Sequence, residues 1–395
     1  MRCSNSLQAA LAEDWQNGGF GLYIHWPFCQ AKCPYCDFNS HVAREIDHAR
    51  WLSAYLSELD RVAAETQGRV LNTVFFGGGT PSLMKPETVA EIMARCRRLW
   101  PTSNDMEITL EANPGSVDAG KFMAFGQGGI NRVSMGIQAL NDRDLQRLGR
   151  THTVQEARTA FDIARHTFDR VSFDLIYARQ DQSLDAWTSE LNEALSMAVD
   201  HLSLYQLTVE NGTAFGDRYA RGKLRGLPGE DLAADMYERT QNFCSSRGKL
   251  PYEISNFATP GSESRHNLIY WRYGDYAGIG PGAHARLTLA GQRYAIENWR
   301  APAKWLNQAE RGNAESLREP IDFNSQATEL LLMGLRLGEG VDLRRYQSLS
   351  GHKLAGPRVE KLLEHGLICI ENQRLVVNPA GRILLNSVLT ELLVE

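Results

Sequence analysis

The sequence predicts an α/β chain: a partial, six-unit βα barrel of the TIM-like kind, followed by a C-terminal α+β domain of winged-helix-like pattern. Three observations predict it. From residue 20 to about residue 215, short runs of β-branched and aromatic residues alternate with stretches of helical period. Side chains with chemistry in them gather just after those runs. Beyond about residue 325 the alternation gives way to helices and one hairpin.

The length of 395 residues suits two or three domains at ~150 residues each. With 43% hydrophobic and 23% charged residues the chain can bury a core, which excludes a disordered, collagen-like or rod-like protein. A formal charge of −5 argues against a general nucleic-acid binder, so no nucleic-acid partner is expected. There is no apolar run of about 18 residues, the length that would signal a membrane helix. Residues 1–19 read as an N-terminal tail. That tail carries Glu13 and Asp14 and lacks the unbroken apolar core of a signal peptide, so a cytoplasmic, reducing location is expected.

Strands are expected at 21–26, 72–76, 106–111, 131–136, 171–177 and 201–207. Between them, Trp51, Tyr55, Leu59 and Val62 repeat at three or four, as do Val89, Ile92, Met93 and Leu99, and Leu184, Trp187, Leu191 and Leu195. Six such units imply a parallel sheet with right-handed crossovers. The residues after the strands decide its shape. Cys29–Cys36 follow the first, Gly77–Gly79 follow the second, Glu111 ends the third, Gln138 follows the fourth, and Asp174 lies late in the fifth. A βα barrel collects its site at successive strand ends, whereas a flat sheet concentrates ligand contacts at one switch point. Six units instead of eight leave the barrel open on one side.

The barrel is assigned to 20–215 and a barrel-closing segment to 216–324. That segment holds a helix entered through Pro228 and ended by Gly248, an irregular aromatic-, Gly- and His-rich stretch with short strands at 250–300, a helix at 301–311 and a polar linker at 312–324. In 325–395, helical runs at 325–337 and 356–365 precede a hairpin turning at Glu371, Asn372 and Gln373, and a helix at 379–393 closes the chain. Few basic residues flank the hairpin, so this module reads as a packing domain, not a DNA reader.

Seven cysteines are too few for a disulfide scaffold, and the number is odd. Cys3, Cys96, Cys244 and Cys369 are scattered and read as small hydrophobes or, for Cys3, a tail residue. Cys29, Cys33 and Cys36 lie within eight residues. Three thiolates in one loop can hold three irons of a [4Fe–4S] cube and leave the fourth iron open to a small chelator. The rival is zinc, whose closed structural sites need four ligands. No second cysteine pair is present, so His25 or His41 would have to complete such a site. The unequal spacing suits the open cube better. After the second strand, Gly77-Gly78-Gly79-Thr80-Pro81-Ser82 lets a ligand approach the backbone closely, or simply makes a tight turn.

The stretch Tyr23-Ile-His-Trp-Pro-Phe-Cys29-Gln-Ala-Lys-Cys33-Pro-Tyr35-Cys36-Asp-Phe38 resembles the radical S-adenosylmethionine (SAM) proteins related to oxygen-independent coproporphyrinogen III oxidase. The resemblance covers the chain from about residue 20 to its end. It implies the radical SAM form of the partial barrel, a [4Fe–4S] cluster on Cys29, Cys33 and Cys36, and SAM chelated to the open iron through its amino and carboxylate groups. By the same resemblance, Gly78, Gly79 and Thr80 contact the SAM amino and carboxylate groups. Glu111, Gln138, Arg150 and Asp174 match the remaining SAM contacts, and Tyr23 and Tyr35 line the site. These residue types suit an ammonium, a carboxylate and ribose hydroxyls. The chain departs from the family after Asp174-Leu-Ile-Tyr177, where Ala178-Arg179-Gln180-Asp181-Gln182-Ser183 replaces a Gly-Leu-Pro-like turn.

Within that group the chain resembles the heme-chaperone branch. The oxidase carries a further cysteine two positions after the third ligand, where this chain has Phe38. His266-Asn267-Leu-Ile-Tyr270-Trp271 resembles the branch's HN-x-x-YW segment, which nominates His266, ahead of His284, as a heme ligand. The implied function is a carrier that binds heme and passes it to an acceptor protein. A flavodoxin-like or ferredoxin-like reductant is implied, as is contact with membrane-bound acceptors without a membrane segment. The alternative is an oxidase-like enzyme, in which SAM cleavage initiates oxidative decarboxylation of porphyrinogen propionates. The resemblance names no catalytic residue.

Overall fold

The computed structural model describes residues 13–354 and 356–393. Cys3 and most of the expected tail lie outside the described residues. The six expected strands form as β1 (Phe20–Trp26), β2 (Leu71–Gly78), β3 (Thr102–Ala112), β4 (Arg132–Gln138), β5 (Arg170–Tyr177) and β6 (His201–Gln206). They lie side by side in chain order, every pair parallel. The runs are largely buried on both faces: one face is apolar, and the other carries buried polar residues such as Thr109, Arg132, Ser134, Ser172 and Ser203, which bond across neighbouring strands.

The crossover helices start where short polar side chains satisfy their first free N–H groups. Asp47 caps helix His48–Glu65, and Thr153 and Glu156 form a reciprocal capping box on helix Val154–Thr167. Helix His48–Glu65 buries Trp51, Tyr55, Leu59 and Val62 as the spacing predicts. Trp51 stacks on Trp305 with ring centroids 5.5 Å apart, and Tyr55 donates to the carbonyl of His25 at 2.6 Å. This packing seats the first strand, whose end leads into the cysteine loop.

The region after residue 250 is more regular than expected. It supplies β7 (Leu250–Pro251), β8 (Asn256–Ala258), β9 (Asp275–Ile279), β10 (His284–Leu289), β11 (Gln292–Asn298) and β12 (Glu315–Pro320). The sheet therefore has 12 strands in the order β12-β11-β10-β9-β1-β2-β3-β4-β5-β6-β8-β7. β9 is a seventh parallel strand, paired with β1. The expected linker at 312–324 contains β12, which pairs with β11. Its charged side chains concealed it. Arg318 bonds Glu65 and Glu315, so the polar pattern belongs to an edge strand held by ion pairs. The expected barrel-closing segment extends both edges of the sheet, and β12 and β7 do not meet.

The C-terminal module keeps the expected order. Helices Phe323–Gly334, Leu343–Ser350 and Pro357–Glu364 precede β14 (Ile368–Glu371) and β15 (Arg374–Val377), with β13 (Val341–Asp342) added to the hairpin. Asn372 and Gln373 both take positive φ at the turn. Helices Pro379–Ile383 and Leu385–Leu393 end the described chain. The module has its own core around Leu331, Leu362, Leu375 and Val388. No helix of the described residues is long and apolar enough to cross a membrane.

Candidate functional site

A cavity of about 1280 Å³ opens at the carboxyl ends of the parallel strands and runs to the C-terminal module. The cysteine loop forms one end. Phe28–Cys29 pairs with His41–Val42, folding the loop back on itself. Asn39 donates to the carbonyls of Pro281 and Arg300, which pins the loop to the strands after β9. Cys29, Cys33 and Cys36 are free, half-buried and face the cavity, whereas Cys96 and Cys244 are buried in the core.

Each loop cysteine already has a polar partner at sulfur. Thr80 Oγ1 donates to Cys29 Sγ at 3.3 Å, Arg150 Nη1 donates to Cys33 Sγ at 3.3 Å, and Ser40 Oγ lies 3.8 Å from Cys36 Sγ. Burial raises the Cys29 and Cys36 thiols, and the Thr80 and Ser40 hydroxyls oppose that rise. Cys96 and Cys244, buried without such partners, are pushed up to about 12. The three loop sulfurs are thus set apart from the core cysteines by a polar partner and by facing the cavity.

The glycine turn follows β2 as predicted. Gly78 has φ +111°, and a Cβ there would sit 2.5 Å from the His25 ring. A Cβ on Gly79 would meet the Phe28 backbone at 2.7 Å. Only glycine fits between the strand end and the cysteine loop. The Gly78 N–H donates to Glu111 at 3.1 Å. Glu111, Gln138, Arg150, Asp174, Tyr35, Gly78, Gly79 and Thr80 all line the cavity.

Gln138 has φ +78° beside a register slip between β4 and β5, which turns its side chain out of the strand pattern. Arg150 Nη2 donates to the Gly136 carbonyl at 2.8 Å, while its buried Nε has no partner. Burial and the nearby Asp174 push the Glu111 carboxyl up to about 8, against the opposing Gly78 N–H. Burial pushes Asp174 up to about 6, opposed by the Ser203 and Ser134 hydroxyls. Both carboxyls are thus held above their ordinary range, although the Arg132 guanidinium opposes the rise in each.

Two expected residues are placed elsewhere. Tyr23 does not reach the cavity wall. Its hydroxyl bonds His25 Nδ1 at 3.0 Å and its ring stacks on Phe75. His266 is 1% exposed. Its Nδ1 bonds Thr73 Oγ1 and its Nε2 bonds Tyr270 Oη, both at 2.7 Å, so neither ring nitrogen is free for heme iron. The motif instead turns Asn267, Tyr270 and Trp271 to the cavity. His284 lies exposed on β10, away from the cavity lining.

The zinc alternative fares no better. His25 spends Nδ1 on Tyr23 and Nε2 on the Asn39 carbonyl at 3.0 Å, and burial lowers it to about 4. No group of three or more His, Cys, Asp or Glu side chains among the described residues is arranged around one ion. Three partnered thiols facing open space, with an unpartnered guanidinium nitrogen beside them, suit a larger cluster with an anionic chelator.

Residues 23–187 match the radical SAM superfamily, and residues 322–384 match the HemN C-terminal domain. The chain is 35% identical to "Heme chaperone HemW" of Escherichia coli, across 95% of this chain and 98% of that protein. The chain belongs to the HemW family of radical SAM proteins. It is also 36% identical to "Radical S-adenosyl methionine domain-containing protein 1, mitochondrial" of Bos taurus, over 94% of this chain and 87% of that one. Among solved structures, coproporphyrinogen III oxidase (HemN) from Escherichia coli superposes with a TM-score of 0.79 at 21% identity. That superposition covers 96% of this chain and 92% of the other and shows a shared fold. A [4Fe–4S] cluster and SAM are the cofactors of the radical SAM superfamily, and this site fits them.

Sequence reasoning missed Ser40, Ser134 and Arg179. Ser40 sits four residues beyond Cys36, a spacing that could have drawn notice. Arg179 lies in the loop that departs from the family. Its side chain is buried and bonds Asp144 at 2.9 Å, Glu190 at 2.5 Å and the Ile176 carbonyl at 2.6 Å. Glu190 in turn accepts from the Leu140 N–H. The loop takes its turns at Ala178 and Asp181, both with positive φ, and the Arg179 network holds them. Nothing in the local composition marks that arginine as buried.

Proposed function

We propose that this protein carries heme on a radical SAM scaffold and hands it to an acceptor protein. Cys29, Cys33 and Cys36 would hold the cluster. Gly78, Gly79, Thr80, Glu111, Gln138, Arg150 and Asp174 would hold SAM, with Tyr35 beside them. When bound, the cluster supplies a one-electron donor and one iron open to a chelating ligand.

The chain's own residues prepare that end. Thr80, Arg150 and Ser40 orient the sulfurs and offset their charge. A cation bound beside Glu111 would favour its ionised form, which matches an ammonium-bearing ligand. The observation that carries the reading is the continuity of the cavity. One space joins the thiols to an apolar and aromatic wall of Tyr205, Tyr237, Tyr270, Trp271 and Ile383. A planar tetrapyrrole needs flat apolar surfaces of this kind. Phe38, 59% exposed at the mouth, stands where the oxidase resemblance requires a cysteine. The partners in this reading are heme, an acceptor protein and a flavodoxin- or ferredoxin-type reductant.

Anaerobic reconstitution tests it. Heme should be taken up stoichiometrically and passed to an apo-acceptor, with no decarboxylation of coproporphyrinogen III when SAM and reductant are supplied. Formation of vinyl product would overturn the carrier reading in favour of the oxidase-like enzyme.

A further inference from the structure

The far end of the cavity holds polar groups that nothing in the protein satisfies. Arg336, just beyond helix Phe323–Gly334, and Arg382, on helix Pro379–Ile383, both line it. Neither forms an ion pair with a carboxylate among the described residues, although Arg345 and Arg374 of the same module do. The Arg336 guanidinium lies 5.8 Å from the Trp271 ring, with Nη1 donating to the Leu332 carbonyl. Arg382 Nη1 is buried without a hydrogen-bond partner. Two more buried groups in the same wall share that condition, Trp271 Nε1 and Tyr237 Oη.

Buried donors without partners cost free energy and are rare in native proteins. Here three of them converge with a second guanidinium on one space, from three separate parts of the fold. The carboxylate lining this region, Glu253, is already engaged by the Ser255 N–H at 2.8 Å and Asn256 Nδ2 at 2.6 Å. Two guanidiniums facing one committed carboxylate leave a net positive site, and planar guanidinium groups suit carboxylate oxygens.

We infer that Arg336 and Arg382, with Trp271 and Tyr237, form a carboxylate-binding end of the cavity that seizes the propionates of the tetrapyrrole. This deepens the carrier reading and rests on it. The C-terminal module then has a task beyond packing: it anchors the acidic edge of the cargo while the apolar wall receives its face.

The test compares heme with its propionate dimethyl ester, by titration of the reconstituted full-length protein. Wild type should bind heme at least about tenfold more tightly than the diester, the scale of charge-assisted hydrogen bonds. R336Q/R382Q should lose that preference, weakening for heme while binding the diester as wild type does, with its cluster absorbance unchanged. Equal wild-type affinity for the two compounds would overturn the carboxylate site and leave the carrier reading standing. No uptake of either compound would overturn both. If the double variant fails to fold, the wild-type comparison alone decides.

Discussion

The two ends of the cavity are built on opposite plans. At the cysteine end most functional groups already have partners inside the protein: Thr80 on Cys29, Arg150 on Cys33, Gly78 on Glu111. At the far end Arg382, Trp271 and Tyr237 hold buried polar atoms with none. The first arrangement orients ligands for a resident cofactor that stays put. The second leaves its hydrogen bonds to be completed by something that comes and goes. A carrier needs both, a fixed centre and a grip for its cargo.

The largest effect should come from breaking the fixed end. Replacing Cys29, Cys33 or Cys36 by Ala should abolish the brown cluster chromophore after anaerobic reconstitution. Cys96→Ala should leave it intact, because Cys96 is buried in the core. Equal loss in Cys244→Ala or Cys369→Ala would contradict the three-ligand loop.

A smaller but large effect is expected where the loop after β5 is tied down. Arg179→Ala strands Glu190 and Asp144 without their buried cation. Removing one partner of a buried pair costs about 3–5 kcal/mol, measurable by urea denaturation. A loss below about 1 kcal/mol would show that the network does not hold the loop.

The mildest test concerns pH at the fixed end. Glu111 in the folded protein is raised from its ordinary value of 4.5 to about 8. The folded state therefore holds a proton that the unfolded chain has released, and stability falls as pH rises through that window. Glu111→Gln removes the titration. Without cofactors, the variant should gain on wild type by about 1–3 kcal/mol between pH 5 and pH 9, by urea midpoints. Parallel pH profiles would contradict the buried acid.

The fixed end was legible in the sequence because its chemistry is local. Cysteine spacing, a glycine turn after a strand and acids at strand ends all lie within short windows. Strand existence was equally legible for β1 to β6, whose short β-branched and aromatic runs are mostly buried. The far end was not legible, because Tyr237, Trp271, Arg336 and Arg382 come together only through tertiary packing. His266 shows the converse limit. A histidine in a recognisable motif suggests a ligand, yet Thr73 on a distant strand takes its second nitrogen. The β10–β11 hairpin could have been found: Ala290 and Gly291, both with positive φ, turn between two alternating runs. β12 could not, since ion pairs fill its exposed edge.

The most direct test of the central claim is metal and sulfide analysis of protein purified under strict exclusion of oxygen, followed by electron paramagnetic resonance of the reduced form with and without SAM. Iron and acid-labile sulfide should be present in equal amounts, and SAM should change the cluster signal by occupying the iron that no cysteine reaches. Tightly held zinc without iron or sulfide, or a cluster signal indifferent to SAM, would contradict it.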